Sequence, residues 1–396
     1  MAIFKNAPKY LQQAPKPTSP LGWHRILSPT AAVKVSPIAL GGISLGSAWS
    51  SYFGQNEDAS ALLDAFYAHG GNFIDTSNDY NNGESEQLIG EWMERKGVRD
   101  EMVIATKFSS GFRRHETNEK GEGPLQSNFV GNSAKSLHTS VKHSLKSLKT
   151  DYIDILYVHF WDFSTSVEEL MRHLHTLITV RQVLYLGICN TPAWVVVKAN
   201  DYARQHGLTP FSVYQGHWNA AYRDMEAEII PMCEDQGMAI VPWGALGGGQ
   251  LMTAAQREEA SKDSEARKGY GHDEHHVKVS QALEKIANER GTTLQAVALA
   301  YLYQQSTYVF PIVGVQTLKH VEAMNDALRV KLSKEEVAAI HEVSAFVPQF
   351  PVSFNYAAEV RPYSARHTAA DVENLRLAAW IDAPAKQPSY EPHVEQ

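Results

Sequence analysis

Short apolar runs alternate with amphipathic stretches along nearly the whole chain. The runs fall at 37–41, 72–75, 102–107, 153–159, 183–189, 211–215, 238–243 and 308–313. Between them apolar residues recur at helical spacing, as Leu62, Leu63 and Phe66 do within 58–68. The same reading predicts helices over 85–96, 132–148, 166–179, 192–206, 224–236 and 277–290. Two more, 294–305 and 318–328, flank the last run, and one over 334–345 ends the pattern. Gly70-Gly71, Gly207 and Gly237 stand where a left-handed helix cap is needed. Strands alternating with helices imply a parallel sheet covered by helices. Eight such units predict an α/β fold closed as a (β/α)8 TIM barrel.

Two segments break the rhythm, 109–131 and 247–276. Both follow strands, so both are expected to lie as lids over the mouth of the barrel. Residues 1–30 read as an N-terminal extension, 31–345 as the barrel and 346–384 as an irregular tail. In the tail Phe346, Phe350 and Phe354 are interleaved with prolines, and the expectation is that they bury near the barrel mouth. Residues 385–396 look disordered.

Composition narrows the class. The chain has 396 residues, 43% of them hydrophobic, enough for a large core. A formal net charge of −8 argues against a nucleic-acid partner, which would demand a basic face. Two cysteines, Cys189 and Cys233, are too few for a disulfide framework and point to a reducing compartment. No stretch is long and apolar enough to span a bilayer, and the polar, proline-dotted start does not read as a signal peptide. The expectation is a cytoplasmic protein with no membrane partner and an oligomeric state left open.

Four polar residues stand at or just after the ends of apolar strands: Asp75, Tyr80, Lys107 and His159. Unpaired buried charge is unfavourable, and polar residues repeatedly placed at strand C-termini mark a site at the mouth of a parallel barrel. Each alone has a plain reading. Asp75 would cap a turn, Tyr80 would be a half-buried loop residue, Lys107 would snorkel to solvent and His159 would be a satisfied core histidine. Together they form a set able to move a proton.

Beside them stand Gly71-Asn72-Phe73-Ile74-Asp75-Thr76-Ser77, Gly83-Glu84-Ser85-Glu86, Ile104-Ala105-Thr106-Lys107 and Asp151-Tyr152-Ile153-Asp154-Ile155-Leu156-Tyr157-Val158-His159. Gly187-Ile188-Cys189-Asn190-Thr191-Pro192, Tyr214-Gln215-Gly216, Pro242-Trp243 and Leu246-Gly247-Gly248-Gly249 follow in order. On these segments the chain resembles the aldo-keto reductase superfamily, and within it the fungal aryl-alcohol dehydrogenase and norsolorinic acid reductase branch. The resemblance spans roughly residues 37–345. It implies a barrel that binds a nicotinamide cofactor without a Rossmann fold, and no G-x-G-x-x-G opens a strand-helix unit here.

The resemblance further implies roles. Tyr80 would be the proton donor, Lys107 its tuner, Asp75 the partner of Lys107, and His159 the donor that orients the carbonyl oxygen. Cys189, Asn190 and Gln215 would hold the carboxamide, with Cys189 standing where the family usually has serine. Trp243 would stack on the nicotinamide, and Gly244, Leu246, Gly247 and Gly248 would let the backbone approach the pyrophosphate. At the adenine end Gly314, Gln316 and Asn325 are the matching positions. There Gln316 replaces the family's cation and Met324 its asparagine, while Arg267, Lys268 or Lys319 offer compensating charge. NADP is the cofactor implied, with NAD as the open alternative. Trp49, Tyr52 and Trp161 would line a pocket for a flat or hydrophobic carbonyl compound. The histidines His272, His275 and His276 lack a metal-binding pattern, so no metal is expected. The implied function is interconversion of an aldehyde or ketone, aromatic or polyketide-like, and its alcohol. The alternatives are a cofactor-binding regulatory subunit with little turnover, and a lyase using Lys107 as a Schiff base.

Overall fold

The computed structural model describes residues 8, 11–12, 14–118, 120–262, 273–346, 349–355, 369–382 and 389–392. An N-terminal antiparallel hairpin comes first, formed by β1 (Arg25–Ser28) and β2 (Ala31–Val35). The barrel strands follow: β3 (Ala39–Gly41), β4 (Phe73–Asp75), β5 (Val103–Phe108), β6 (Ile153–Val158), β7 (Val183–Cys189), β8 (Val213–His217), β9 (Ala239–Trp243) and β10 (Ile312–Gly314). All neighbours pair in parallel, in the order β10-β3-β4-β5-β6-β7-β8-β9. Ile240 on β9 bridges in parallel to Val309, just ahead of β10, and this closes the ring.

Helices occupy the gaps. They are α1 (Ser50–Phe53), α2 (Ala59–Ala68), α3 (Glu84–Lys96), α4 (Ala134–Ser147), α5 (Val167–Thr179), α6 (Ala193–Gln205) and α7 (Ile229–Gln236). After β9 come α8 (Ala254–Lys262), α9 (Glu274–Arg290) and α10 (Leu294–Tyr303), and after β10 come α11 (Leu318–Ala327) and α12 (Lys334–Val343). Local chemistry sets their ends. The side chains of Ser133, Ser166, Thr293, Thr317 and Ser333 accept from backbone N–H groups in the first turns of α4, α5, α10, α11 and α12. Gly237 closes α7 at φ 68°, a conformation that strains any residue with a β-carbon.

The pleat sorts each strand into two cores. Ala39, Phe73, Val103, Ala105, Ile155, Tyr157, Val213, Ala239 and Val241 fill the barrel interior. Leu40, Ile74, Ile104, Leu156, Leu186 and Ile240 face the helix layer. Both faces are buried, which is why these strands read as unbroken apolar runs. The hairpin belongs to the interior core: Leu27, Ala31 and Val35 pack in the same cluster. Sequence periodicity assigned residues 1–30 to an extension and did not predict this hairpin. Two short runs either side of Pro29-Thr30 were its signal.

The lid at 109–131 follows β5 as expected. Its Phe112 ring meets Phe129 and His143, with centroids 5.7 and 4.6 Å apart. The segment at 247–276 is more regular than expected and contains α8, while Arg267, Lys268 and His272 lie outside the described residues. The tail departs from expectation. Phe346 is buried, with the Arg223 guanidinium 5.8 Å from its ring centroid. Phe350 and Phe354 are 79% and 62% exposed, so they do not bury at the mouth. Short helical turns at Val352–Asn355 and Glu373–Ala378 leave Leu377 and Trp380 exposed as well. The disorder expected from residue 385 onward does not hold for 389–392. Tyr390 packs with its ring centroid 5.1 Å from that of Tyr303, beneath the guanidinium of Arg25.

Candidate active site

Asp75 closes β4, Lys107 lies one residue before the end of β5, and His159 follows β6 directly. Counting by two from Phe73 and Ala105 turns Asp75 and Lys107 into the barrel interior. Lys107 is fully buried there. Its ammonium donates to Asp75 Oδ1 at 2.5 Å, to the Thr76 carbonyl at 2.7 Å and to the Tyr80 hydroxyl at 3.1 Å. Three donors therefore meet three acceptors, the condition under which a buried ammonium is tolerated. Burial alone would pull Lys107 downward, but Asp75, Tyr80 and Cys189 outweigh it and hold the ammonium above its ordinary value. A permanently charged lysine is a poor amine nucleophile, which disfavours the Schiff-base alternative.

Gln215 has another role in this geometry. Its amide donates to Asp75 Oδ2 at 2.7 Å, so both carboxylate oxygens are engaged. Tyr80 is pushed upward in pKa chiefly by burial, and Lys107 pulls the other way without overcoming it. The resting hydroxyl therefore keeps its proton. His159 is lowered to about 4, first by burial and then by repulsion from Lys107, so its imidazole is neutral at physiological pH. Its Nδ1 lies 3.1 Å from the Ser110 hydroxyl on the first lid. The Tyr80 and His159 rings stand edge to face, 6.0 Å apart.

A second group lines the rim from β7 to β9. Asn190, in a left-handed conformation at φ 46°, donates to the His159 carbonyl at 3.0 Å and accepts from Trp243 Nε1 at 3.0 Å. The Trp243 indole stacks on His217 at 4.3 Å, only 8° from parallel, and His217 stacks on Tyr222 at 4.1 Å. His217 was not expected, although it lies two residues past Gln215 on the same strand face. Gly244 is held at φ 64°, and a β-carbon there would meet the His217 ring at 2.9 Å. Gly247, Gly248 and Gly249 also have positive φ. Cys189 is fully buried and its thiol is pushed upward by burial.

The adenine-end positions behave differently. The Gln316 amide donates to the carbonyls of Phe53 and Gln55 at 3.0 and 3.4 Å, tying the loop after β3 to β10. Glu57 accepts from the Leu318 N–H at the start of α11. Asn325 does not join the site. Its Oδ1 accepts from the Ser19 hydroxyl and the Leu21 N–H, anchoring the N-terminal segment. Met324 is buried and Lys319 is exposed. Trp49 stands edge to face with Tyr80 at 6.2 Å, and Tyr52 is 42% exposed beside Phe53. Trp161 is half-buried against Phe163, 6.5 Å between centroids. His275 and His276 approach the Ala221 carbonyl and Asp273 at α9.

Comparison with known proteins places this arrangement. The aldo/keto reductase family profile matches residues 37–345. Norsolorinic acid reductase A of Aspergillus parasiticus is 45% identical over 384 residues, covering 96% of each chain. Norsolorinic acid reductase B of Dothistroma septosporum is 50% identical over 84% of each chain. An aryl-alcohol dehydrogenase (NADP(+)) of Phanerodontia chrysosporium is 48% identical over 85% of this chain and 90% of its own length. A barrel of eight parallel strands with this profile along its length belongs to the aldo/keto reductase family, as an oxidoreductase acting on carbonyl and alcohol groups.

Proposed function

We propose that the chain interconverts an aromatic or polyketide-like aldehyde or ketone and its alcohol, using NADP, with Tyr80 as the acid and base. One observation carries the reading: the Lys107 ammonium touches the Tyr80 hydroxyl at 3.1 Å while salt-bridged to Asp75. The relatives' names point the same way, two to a norsolorinic acid reductase and one to an aryl-alcohol dehydrogenase with NADP(+).

Trp243 would present its indole face to the nicotinamide ring. Asn190 would meet the carboxamide, and the backbone at Gly247 and Gly248 would approach the pyrophosphate. Bound there, the cofactor would supply a hydride for the carbonyl carbon. The protein's part is the proton. Tyr80 rests protonated because burial disfavours its phenolate. An alkoxide forming beside it is a stronger base than phenolate, so the proton passes from Tyr80 to the substrate oxygen. Lys107 then faces the phenolate as a hydrogen-bonded cation. His159 is neutral, and its Nδ1 is 3.1 Å from the Ser110 hydroxyl; with Ser110 as the donor there, Nε2 would carry the proton that holds the carbonyl oxygen in place. In the reverse direction Tyr80 takes the alcohol proton. A cytoplasmic setting accords with two buried free cysteines.

The test is NADPH oxidation, followed by absorbance, over a panel of aromatic aldehydes. Tyr80→Phe should lower kcat by about 10²- to 10⁴-fold, the usual worth of acid-base help, with cofactor affinity unchanged. A wild-type protein inactive across the panel, or a Phe variant as fast as wild type, removes the proposal.

A further inference from the structure

Against Trp49, whose ring stands 6.2 Å from that of Tyr80, lies an open groove of about 310 Å³ lined by Ala48, Trp49, Ser51, Tyr52, Phe53 and Arg114. Its walls are aromatic and its rim carries a cation. We propose that Arg114 is a specificity residue that binds an ionised oxygen, phenolate or carboxylate, on the far end of an aromatic substrate. This rests on the carbonyl-reduction reading of Tyr80.

Three features carry it. The first is anchorage of the wall. The Trp49 backbone N–H donates to Asn81 Oδ1 at 2.8 Å and its indole Nε1 to Asn82 Oδ1 at 3.3 Å, so both the backbone and the ring are held. Asn81 and Asn82 are themselves left-handed, at φ 50° and 59°, in the turn that begins with Tyr80. Trp49 is thus tied by hydrogen bonds to the turn that carries the proton donor.

The second is the placement of the cation. The Arg114 guanidinium lies 5.5 Å from the Trp49 ring centroid, and Tyr80 lies 6.2 Å from the same ring. Cation and proton donor thus both border one indole. Stacking on indole orients a guanidinium while leaving its N–H edges free for planar oxygen acceptors.

The third is that the guanidinium is not consumed by its neighbours. Among the described residues its one ionic contact is Asp79 Oδ2 at 3.9 Å, beyond hydrogen-bond reach, with the arginine side chain 59% exposed. Asp79 is already served, because the Ser77 hydroxyl donates to its Oδ1 at 2.7 Å. Glu84, the other nearby acid, accepts the Ser47 and Ala48 N–H groups and is turned to that backbone. A solvated pair at 3.9 Å is weak. An aromatic anion entering the groove would replace it with direct, charge-assisted hydrogen bonds.

The experiment compares a naphthaldehyde carrying a carboxylate on its distal ring with the methyl ester of the same compound. Wild type should favour the anion through KM. Arg114→Gln should raise KM for the anion roughly tenfold to a hundredfold, the worth of a hydrogen bond to a charged group, with kcat and the ester's KM unchanged. Arg114→Lys should restore part of the preference, and salt should erode it in wild type. A second arm needs no turnover: quenching of tryptophan fluorescence by naphthoate and by methyl naphthoate gives two binding constants for each variant. Loss of naphthoate binding alone in Arg114→Gln supports the assignment even if no aldehyde is reduced, in which case only the carbonyl-reduction reading fails. Equal loss for anion and ester, or no loss for either, overturns the assignment and leaves the reduction reading standing.

Discussion

Thr106 and Lys107 are neighbours on β5, and the pleat turns them to opposite faces of the barrel wall. Each face holds a buried acid. Inside, Asp75 meets Lys107 and Gln215, and both of its oxygens are hydrogen-bonded. Outside, between the strands and α3, Glu86 accepts from Thr106 at 2.6 Å through Oε1, while its Oε2 has no hydrogen bond among the described residues. Both acids are buried equally deeply. The difference is the counter-charge. Inside, burial raises the Asp75 carboxyl as well, but the Lys107 cation in contact and the hydrogen bonds from Lys107 and Gln215 oppose it, and Asp75 in turn helps hold the Lys107 ammonium above its ordinary value. Outside, burial lifts Glu86 to about 7, and Thr106 and Ser144 only partly restrain it. Depth alone therefore does not decide whether a buried group is charged. A cation in contact opposes burial, and the acid that has one faces the mouth.

Breaking the inner pair should give the largest effect. Lys107→Met leaves the Asp75 carboxylate without its cation and is expected to cost about 3–5 kcal/mol of stability in urea unfolding. Adding Asp75→Leu to it should recover most of that stability while turnover stays lost, because the interior is then apolar but Tyr80 has no cation. If the single variant unfolds like wild type, the inner pair is not the partnered site described above. A smaller effect should follow Gln215→Leu, which strips one hydrogen bond from Asp75 Oδ2. The expected loss is about 1–3 kcal/mol, the penalty for an unsatisfied buried acceptor. Unchanged stability with weakened NADP binding would instead return Gln215 to the carboxamide role that the resemblance gave it.

These residues differ in how visible they were along the chain. The barrel was legible because each of its strands is buried on both faces, which leaves an unbroken apolar run wherever it occurs. Asp75, Lys107 and His159 were legible because each ends such a run, where a polar residue stands out. The hairpin of β1 and β2 was not, since its strands are four and five residues long and carry Arg25, Ser28 and Lys34 among their apolar positions. The two tail phenylalanines that face solvent show that aromatic content alone does not predict burial where the chain has no periodicity. The roles of Gln215 and Asn325 come from partners 140 and 306 residues away in sequence, Asp75 and Ser19. No local pattern encodes such pairs. Arg114 lay within a charged lid, and only the fold brings it onto Trp49.

The smallest effect is expected from the outer acid, and its sign is set by linkage. Glu86 has a folded pKa of about 7 against an ordinary glutamate value of 4.5. The folded state then binds the proton more tightly than the unfolded chain. Its contribution to stability is fully present below about pH 4.5, declines as the pH rises to about 7 and is flat above that. A shift of this size corresponds to at most about 3 kcal/mol, and relaxation around the carboxylate reduces it. Glu86→Gln keeps the shape and removes the titration. The variant should match wild type near pH 4.5 and be more stable by about 1–3 kcal/mol at pH 8. Other acids titrate over the same range, so the quantity to read is the difference between the two proteins in urea midpoints at each pH. A difference that does not change between pH 4.5 and 8 would mean that Glu86 is charged throughout. It would then have found the partner that the outer face lacks, and the contrast between the two faces of β5 would disappear.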